Sequence, residues 1–453
     1  MPSFTILDEK SELKQLKTEL EATAALKSMV LICLKIGIII AILIIEDNLN
    51  KRAKDMTDSP ICPICGKKLE SKGFLSRQLT TLIGRIHWRR RVWRCPDRCK
   101  IGQIAPFDDE LGLRPNQRTG DEIKEMACCL AVFLPFNIAA LLFKNLTGIE
   151  VCANTIWNWV QWAGAEAMAK LEKELEELKD KLPDAEEIDA EIAKLPLIIG
   201  GDGVMVPFRP DGGQPKGKTA WKEVKIGIFA RLGKRITKKG KEVSVLVRKR
   251  VVAVLGDIDD YKPRMWLRSL KEGVLEAETV IWLSDGGKGF WGIFYDLFDG
   301  RAQGILDFYH GAQYLWKAAK SWLDGRTDKA RKWFVSARKR LRIGRGQGVI
   351  NEINMVLKSK ADDLEDEVRN TLKNLVEYLT RHKDHIKYNR YKELGLPIGS
   401  GMVESTCKWL IQQRFKCVGM RWSENGFNNL LHLRLTWMNE SYADLFESIG
   451  SPK

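Results

Sequence analysis

Two cysteine pairs, Cys62-Pro-Ile-Cys65-Gly66 and Cys95-Pro-Asp-Arg-Cys99, constrain this chain more than any other short stretch. Each is compact enough to sit on one tight knuckle. The roughly thirty residues between them alternate like strands, over 79–86 and 88–94. Two knuckles joined by a hairpin bring four soft thiolates into the tetrahedral array that structural zinc prefers, so Cys62, Cys65, Cys95 and Cys99 are expected to bind Zn²⁺. The second pair has three intervening residues rather than two, and a redox cluster is the alternative. Cys33, Cys128, Cys129, Cys152, Cys407 and Cys417 lie scattered in apolar segments and read as buried thiols.

Residues 1–57 read as a helical segment. Within it, residues 30–45 (VLICLKIGIIIAILII) are apolar except for Lys35. As a helix this run reaches roughly 24 Å, short of a ~30 Å hydrocarbon core. A charged stretch precedes it and no small-residue cleavage site follows, which argues against a signal peptide. A buried or oligomer-forming helix is expected. A membrane-associated helix and a strand are the alternatives, and the protein is read as cytoplasmic.

A formal net charge of +15 and a pI near 9.2 point to a polyanionic partner. Ordinary Gly and Pro content and 44% hydrophobic residues exclude wholesale disorder and collagen-like structure. Part of the positive charge lies between the cysteine pairs, where Arg85, Arg89, Arg90, Arg91 and Arg94 interleave with His87, Trp88 and Trp93. Alternation would put arginines on an exposed strand face suited to phosphates. Residues 118–165 then read as a helix-turn-helix region. After a helix from Asp121 to Phe133, the helix-turn-helix itself falls at 136–165: its first helix would use Ile138, Leu141, Leu142 and Leu146 for the core, and its turn contains Gly148. Its second would bury Ile156, Trp159 and Val160, leaving Asn154, Thr155, Asn158 and Gln161 for a DNA groove.

A Glu/Lys/Leu-rich spacer helix follows over 166–194. From residue 195 the texture changes to short β-rich runs, read as strands at 197–207, 223–232, 249–255, 279–284 and 303–308, with helices interleaved; this implies an α/β sheet. Residues 325–395 are helical in pattern throughout, and between Arg326 and Arg345 nine Lys/Arg stand against one Asp. A last helical block spans 396–445.

Three acids mark the ends of different elements. Asp202 lies mid-strand in Gly200-Gly-Asp-Gly, where a carboxylate is costly to bury without a partner. Asp285 follows an apolar strand and precedes two glycines. Glu404 lies in Gly399-Ser-Gly-Met-Val-Glu, where Ser400 can cap its helix. Brought together, such acids repel unless divalent cations sit between them, and a two-metal site performs phosphodiester chemistry.

The order Asp202, Ser284-Asp285-Gly-Gly, Asp307-Phe-Tyr-His310, a helical insertion and Gly399-Ser-Gly-Met-Val-Glu404, then Gln413-Arg414 and Gly419-Met-Arg-Trp422, resembles bacterial insertion-sequence transposases of the DDE type. The Kra-type family of the Mutator-like group is the nearest in pattern, and the likeness runs from Cys62 to about Asn439. It implies a ribonuclease-H-like mixed sheet with helices, an all-helical insertion before the last catalytic helix, and preceding zinc ribbon (58–110) and DNA-binding regions. On it Asp202, Asp285 and Glu404 are the catalytic residues and the Mg²⁺ (or Mn²⁺) ligands. Asp307 and His310 match an accessory Cys-x2-His pair with Asp in place of Cys, acting on DNA or bracing the active site. Arg414, Arg421 and Trp422 suit backbone contact near the scissile phosphate. The implied partner is double-stranded DNA at element ends and target, bound by a homodimer or higher oligomer on the nucleoid. The other functional class is a catalytically inactive, domesticated sequence-specific DNA-binding regulator; a membrane-tethered protein built on residues 30–45 is a third.

Overall fold

Leucines and isoleucines at helical spacing near the N-terminus form a hairpin of two helices, α1 (Ile6–Ala22) and α2 (Leu26–Asp55). The computed structural model describes residues 6–210, 217–359 and 364–450. It divides into one unit of residues 1–163 with 443–453 and a second of residues 164–442.

In the first unit, Ile32, Ile36, Ile39 and Leu43 of α2 pack on Leu13, Leu16 and Leu20 of α1. Farther along, Leu49 and Ala53 of α2 join Leu79, Ile86, Trp88 and Phe107 in a small core over a three-stranded sheet. That sheet is β1 (Glu70–Thr81), β2 (Gly84–Arg94) and β3 (Gln103–Ile104), paired antiparallel in that order. The hairpin turns between Thr81 and Gly84, inside the stretch 79–86 read as one strand. Leu82 and Ile83 carry no turn signature, and only Gly84, at φ 117°, marks the bend. α2 is fixed to β2 by buried Glu46, which accepts the His87 N–H, and by Asn50, which accepts the Arg89 N–H at 2.9 Å. Burial raises the Glu46 pKa, and the His87 bond opposes that. A short α3 (Pro106–Glu110) leads to α4 (Asp121–Phe133), α5 (Phe136–Thr147) and α6 (Ala153–Glu177), which continues into the second unit. Gly148, at φ 73°, ends α5 in the left-handed conformation.

α5 presents a different face from the one expected. Ala139 and Phe143 are its buried residues, whereas Ile138, Leu141, Leu142 and Leu146 are 37–73% exposed. Small Ala139 allows close approach on the side that Phe143 fills, and this packing outweighs the leucine count. On α6, Ile156 and Val160 are buried as expected, and Trp159 is half-buried.

The second unit begins, after α7 (Ala190–Ala193), with β4 (Leu197–Phe208), β5 (Ala220–Ile236) and β6 (Glu242–Leu255). Then come α8 (Ile258–Lys271), β7 (Val280–Ser284), α9 (Lys288–Ile293), β8 (Ala302–Leu306) and α10 (Phe308–Leu323). The strands form one mixed sheet in the order β6-β5-β4-β7-β8. β4, β5 and β6 pair antiparallel, whereas β7 and β8 join β4 in parallel. The central strand is sandwiched between helices, and two glycines make that possible. A Cβ on Gly200 would lie 2.6 Å from Val403, and one on Gly201 would lie 2.7 Å from Phe290. Successive residues point to opposite faces, so Gly-Gly admits one helix layer on each side. Between α10 and the last helices stand α11 (Asp328–Arg342), α12 (Gly346–Ser359), α13 (Asp366–Arg381) and α14 (Tyr388–Glu393), the expected all-helical insertion. The chain returns through α15 (Gly401–Cys407), a π-helical turn at Lys408–Gln412, α16 (Gln413–Phe415) and α17 (Glu424–Met438).

Candidate functional site

The four cysteines of the first unit converge. One ligand atom from each of Cys62, Cys65, Cys95 and Cys99 lies within 4.8 Å of the others, and Cys65 Sγ and Cys95 Sγ are 3.5 Å apart. That separation is far too long for a disulfide at ~2.05 Å and close to the ~3.8 Å edge of a tetrahedral zinc–thiolate site. Gly66 at φ 71° shapes the first knuckle. In the second, the extra residue is absorbed by Arg98 at φ 51°, which turns the chain so that Cys99 still reaches the centre. The crowded thiols titrate apart. The Cys62 thiol is pulled down to about 7, chiefly by the Cys65 backbone N–H, and Cys99 is pushed up to about 12, chiefly by its hydrogen bond with Cys95. Thiols so placed need a cation to ionise together, and the set could hold a structural zinc ion. Among the other cysteines, Cys128 and Cys407 are buried as expected, but Cys33 and Cys152 are exposed.

In the second unit, the sheet aligns the acids. Gly201 of β4 is the register partner of Ser284 of β7, so Asp202 and Asp285 follow side by side at the same end of neighbouring parallel strands. Glu404 lies on α15, which packs on β4 through Val403. Asp202 Oδ1 accepts the Gly203 N–H at 2.7 Å, and Asp285 Oδ1 accepts the Gly287 N–H at 2.9 Å. Burial raises the Asp202 pKa, and the charges of Asp285 and Glu404 push the same way against the Gly203 bond and His310. Cys407, one turn beyond Glu404, is pushed up to about 12 by burial and then by Asp202 and Glu404. The three carboxylates therefore share one electrostatic neighbourhood. Among the described residues they do not close into a ligand set as tight as that of the cysteines.

Asp307 and His310 sit at the neck of the insertion. Asp307 caps α10 by accepting from Tyr309 N and His310 N, and its other oxygen accepts Ser400 N at 2.7 Å and the Ser400 hydroxyl. Phe308 N–H donates to Ile398 O at 2.8 Å. These bonds close the insertion at its base and fix the start of the Glu404 helix. Ser400 does stand at the N-cap of α15, but its hydroxyl serves Asp307 rather than the helix. Burial would raise the Asp307 pKa, yet bonds from His310 and Ser400 outweigh it and hold the carboxyl at about 2. His310 Nδ1 is 3.5 Å from Asp307, which raises the imidazole pKa. Asp307→Ala is expected to cost about 3 kcal/mol, because buried donors lose a charged acceptor. Urea unfolding of the whole chain measures it, and Asp307→Asn should recover part of the loss.

The insertion also touches the Asp285 turn, a contact that no local sequence pattern marks. A Cβ on Gly286 would lie 2.0 Å from the Tyr378 ring of α13. Trp291 Nε1–H donates to Asp285 O, and Trp291 in turn packs on His382 at 4.7 Å between centroids. Tyr378 stacks on Tyr314 at 4.0 Å.

Of the residues expected to contact DNA, Arg85 and Arg89 are exposed, as are Asn154 and Asn158. Thr155 is half-buried beside Cys152. Arg91 is half-buried with its guanidinium 5.0 Å from the Phe74 ring, and Arg90 is paired with Asp108, so the ribbon does not carry one uniform arginine face. Arg421 is exposed, but Arg414 and Trp422 are corrections. Arg414 is 1% exposed and lies over the Trp422 ring at 5.4 Å, while Trp422 is 7% exposed and donates to Phe415 O. Burial lowers the Arg414 pKa to about 10. Both brace the segment after α15. Two exposed features escaped sequence reading. The β5–β6 hairpin carries Arg235, Lys238, Lys239 and Lys241 near its tip, and Tyr309, Trp316, Phe334, Arg331 and Arg338 line a groove between α10 and α11. The lysines fall in a run without apolar punctuation. The groove joins residues from two helices, beyond the reach of local pattern.

No family model matches the chain, and no curated protein matches it. Among solved structures it is similar to the Drosophila P element transposase strand transfer complex, at 12% identity and a TM-score of 0.25, over 74% of this chain and 81% of that one.

Proposed function

We propose that the chain is a DDE-type DNA transposase that cleaves and transfers strands at the inverted-repeat ends of an insertion sequence. The observation that carries this reading is that Asp202 and Asp285 follow neighbouring parallel strands side by side and that Asp202 feels the charges of both Asp285 and Glu404, in the sequence order of the resembling family. The sheet with flanking helices, and a helical insertion entering before the Glu404 helix, support a ribonuclease-H-like core over residues 195–324 and 396–445.

The donor set fits a hard cation. Asp285 and Glu404 raise the proton affinity of Asp202, and binding Mg²⁺ or Mn²⁺ between the three carboxylates would offset that repulsion. When bound, such ions lower the pKa of an attacking oxygen and stabilise the leaving one. Asp202 and Asp285 are positioned by the sheet and Glu404 by α15. Asp307 and Ser400 hold that helix, while Tyr378 and Trp291 hold the Asp285 turn. Exposed Arg85, Arg89, Asn154, Asn158 and Arg421, the hairpin lysines and the groove beside Tyr309 supply duplex contacts by charge and stacking. The place of action is then cytoplasmic, on nucleoid DNA.

The test is incubation of the full chain with a duplex carrying the inverted repeats that flank its gene. Nicks at the repeat ends that require Mg²⁺ or Mn²⁺ are the expected result. Tight binding to those ends with no nicking at any metal concentration would favour the inactive regulator.

A further inference from the structure

Helix α2 is apolar all round over residues 30–45, and a helix of that kind is stable only when enclosed. The first unit encloses one side. Ile32, Ile36, Ile39 and Leu43 recur at 4-3-4 spacing and face α1. Val30, Leu34, Gly37, Ala41 and Ile44 recur at the same spacing on the opposite side, a second seam of coiled-coil period. On and beside it Leu26 is 74% exposed, Val30 57%, Leu31 51%, Leu34 60%, Ile40 44%, Ile44 65% and Ile45 36%. Together they leave on the order of 700 Å² of apolar surface, near the ~800 Å² each partner contributes to a standard interface and above what monomers leave in one patch.

We propose that a second copy of this chain covers that seam, α2 against α2 with an α1 on each outer side. The seam supplies its own complement. In an antiparallel pairing about the midpoint of residues 37 and 38, Leu34 meets the small Ala41 of the other copy, and Gly37 meets Ile38. A Cβ on Gly37 would touch nothing within 4 Å, so the space a neighbouring helix needs is open. Lys35 lies at the edge of the face, free to reach water.

A bilayer is a poorer occupant, although α2 is long and apolar enough to cross one. α1 runs beside the apolar stretch with Glu12, Lys14, Lys17 and Glu19 exposed, and would carry those charges into hydrocarbon. The far half of α2 is committed to the ribbon through Glu46, Leu49, Asn50 and Ala53.

The dimer does not depend on the catalytic reading, and its test uses no activity. Light scattering and sedimentation of the full chain at about 50 µM, without DNA, should give twice 51.7 kDa. Leu34→Glu with Ile44→Glu should give monomers that keep their zinc content. Ala41→Leu, which adds apolar surface but overfills the seam, should weaken the dimer tenfold or more, whereas unspecific stickiness would grow. A monomeric wild type overturns the proposal. So do variants that dimerise unchanged, or wild-type monomer that floats with phosphatidylcholine/phosphatidylglycerol vesicles.

Discussion

Asp202→Asn is expected to reduce metal-dependent nicking at the element ends about 10³-fold or more, equal to about 4 kcal/mol of barrier. Affinity for the same DNA should change less than threefold. The asymmetry follows from where the residue sits. Asp202 is half-buried, flanked by Gly201 and Gly203, and the charges that act on it are those of Asp285, His310 and Glu404. It contributes nothing to a basic DNA surface, so its loss should leave the salt dependence of binding unaltered. The amide keeps the shape and the bond to Gly203 N–H, so folding is spared. Relief of carboxylate repulsion should even raise stability slightly. A melting temperature at or above wild type, with cleavage abolished, separates a metal-holding role from a structural one. Unchanged nicking by Asp202→Asn would remove Asp202 from the chemistry and with it the transposase reading.

The sequence marks the sheet far better than the surfaces. All five strands of the mixed sheet lie where the β-rich runs put them, because β7 and the first five residues of β4 are buried and the apolar residues there dominate the local pattern. The edge pair β5–β6 extends well beyond the expected 223–232 and 249–255, since its outer half is solvated and its residues answer to pairing rather than burial. Of the acids, only Asp202 stands out in the sequence as a costly mid-strand carboxylate, whereas Asp285 and the exposed Glu404 are marked only by the glycines beside them. The faces of α5 were not legible, since four large apolar residues outvote Ala139 and Phe143 in any local count. Nor could sequence place Arg414 and Trp422 inside. Buried guanidinium groups are held by ring faces and carbonyls that only tertiary structure brings near, as Arg434 also is through Leu410 O and Trp409 O. Tyr378 lies in a segment with no motif, and its role is visible only against Gly286.

Removing a zinc ion held by the four cysteines should have the second large effect, and of a different kind. Around the four thiols the packed core is little more than Leu69, Trp93, Ile101 and Ile104, too small to order the knuckles alone. Cys95→Ser, or prolonged exposure to a zinc chelator, should therefore take bound zinc from about one per chain to near none and free the knuckles. Amide exchange in β1–β3 should accelerate by about 10³-fold or more, while exchange in β4, β5 and β7 stays as in wild type. Trp93 fluorescence should report the same opening. Arg85 and Arg89 are displayed by β2, so affinity for element ends should fall at least tenfold while the acidic site keeps its sheet. Chelators then act in two separable ways. On the proposed reading, rapid removal of Mg²⁺ should stop cleavage on bound DNA and be reversed by adding the ion back, whereas slow loss of zinc should release the DNA and be reversed only by zinc. Retention of ordered knuckles in Cys95→Ser would mean that the helix hairpin, not the metal, organises this end of the chain.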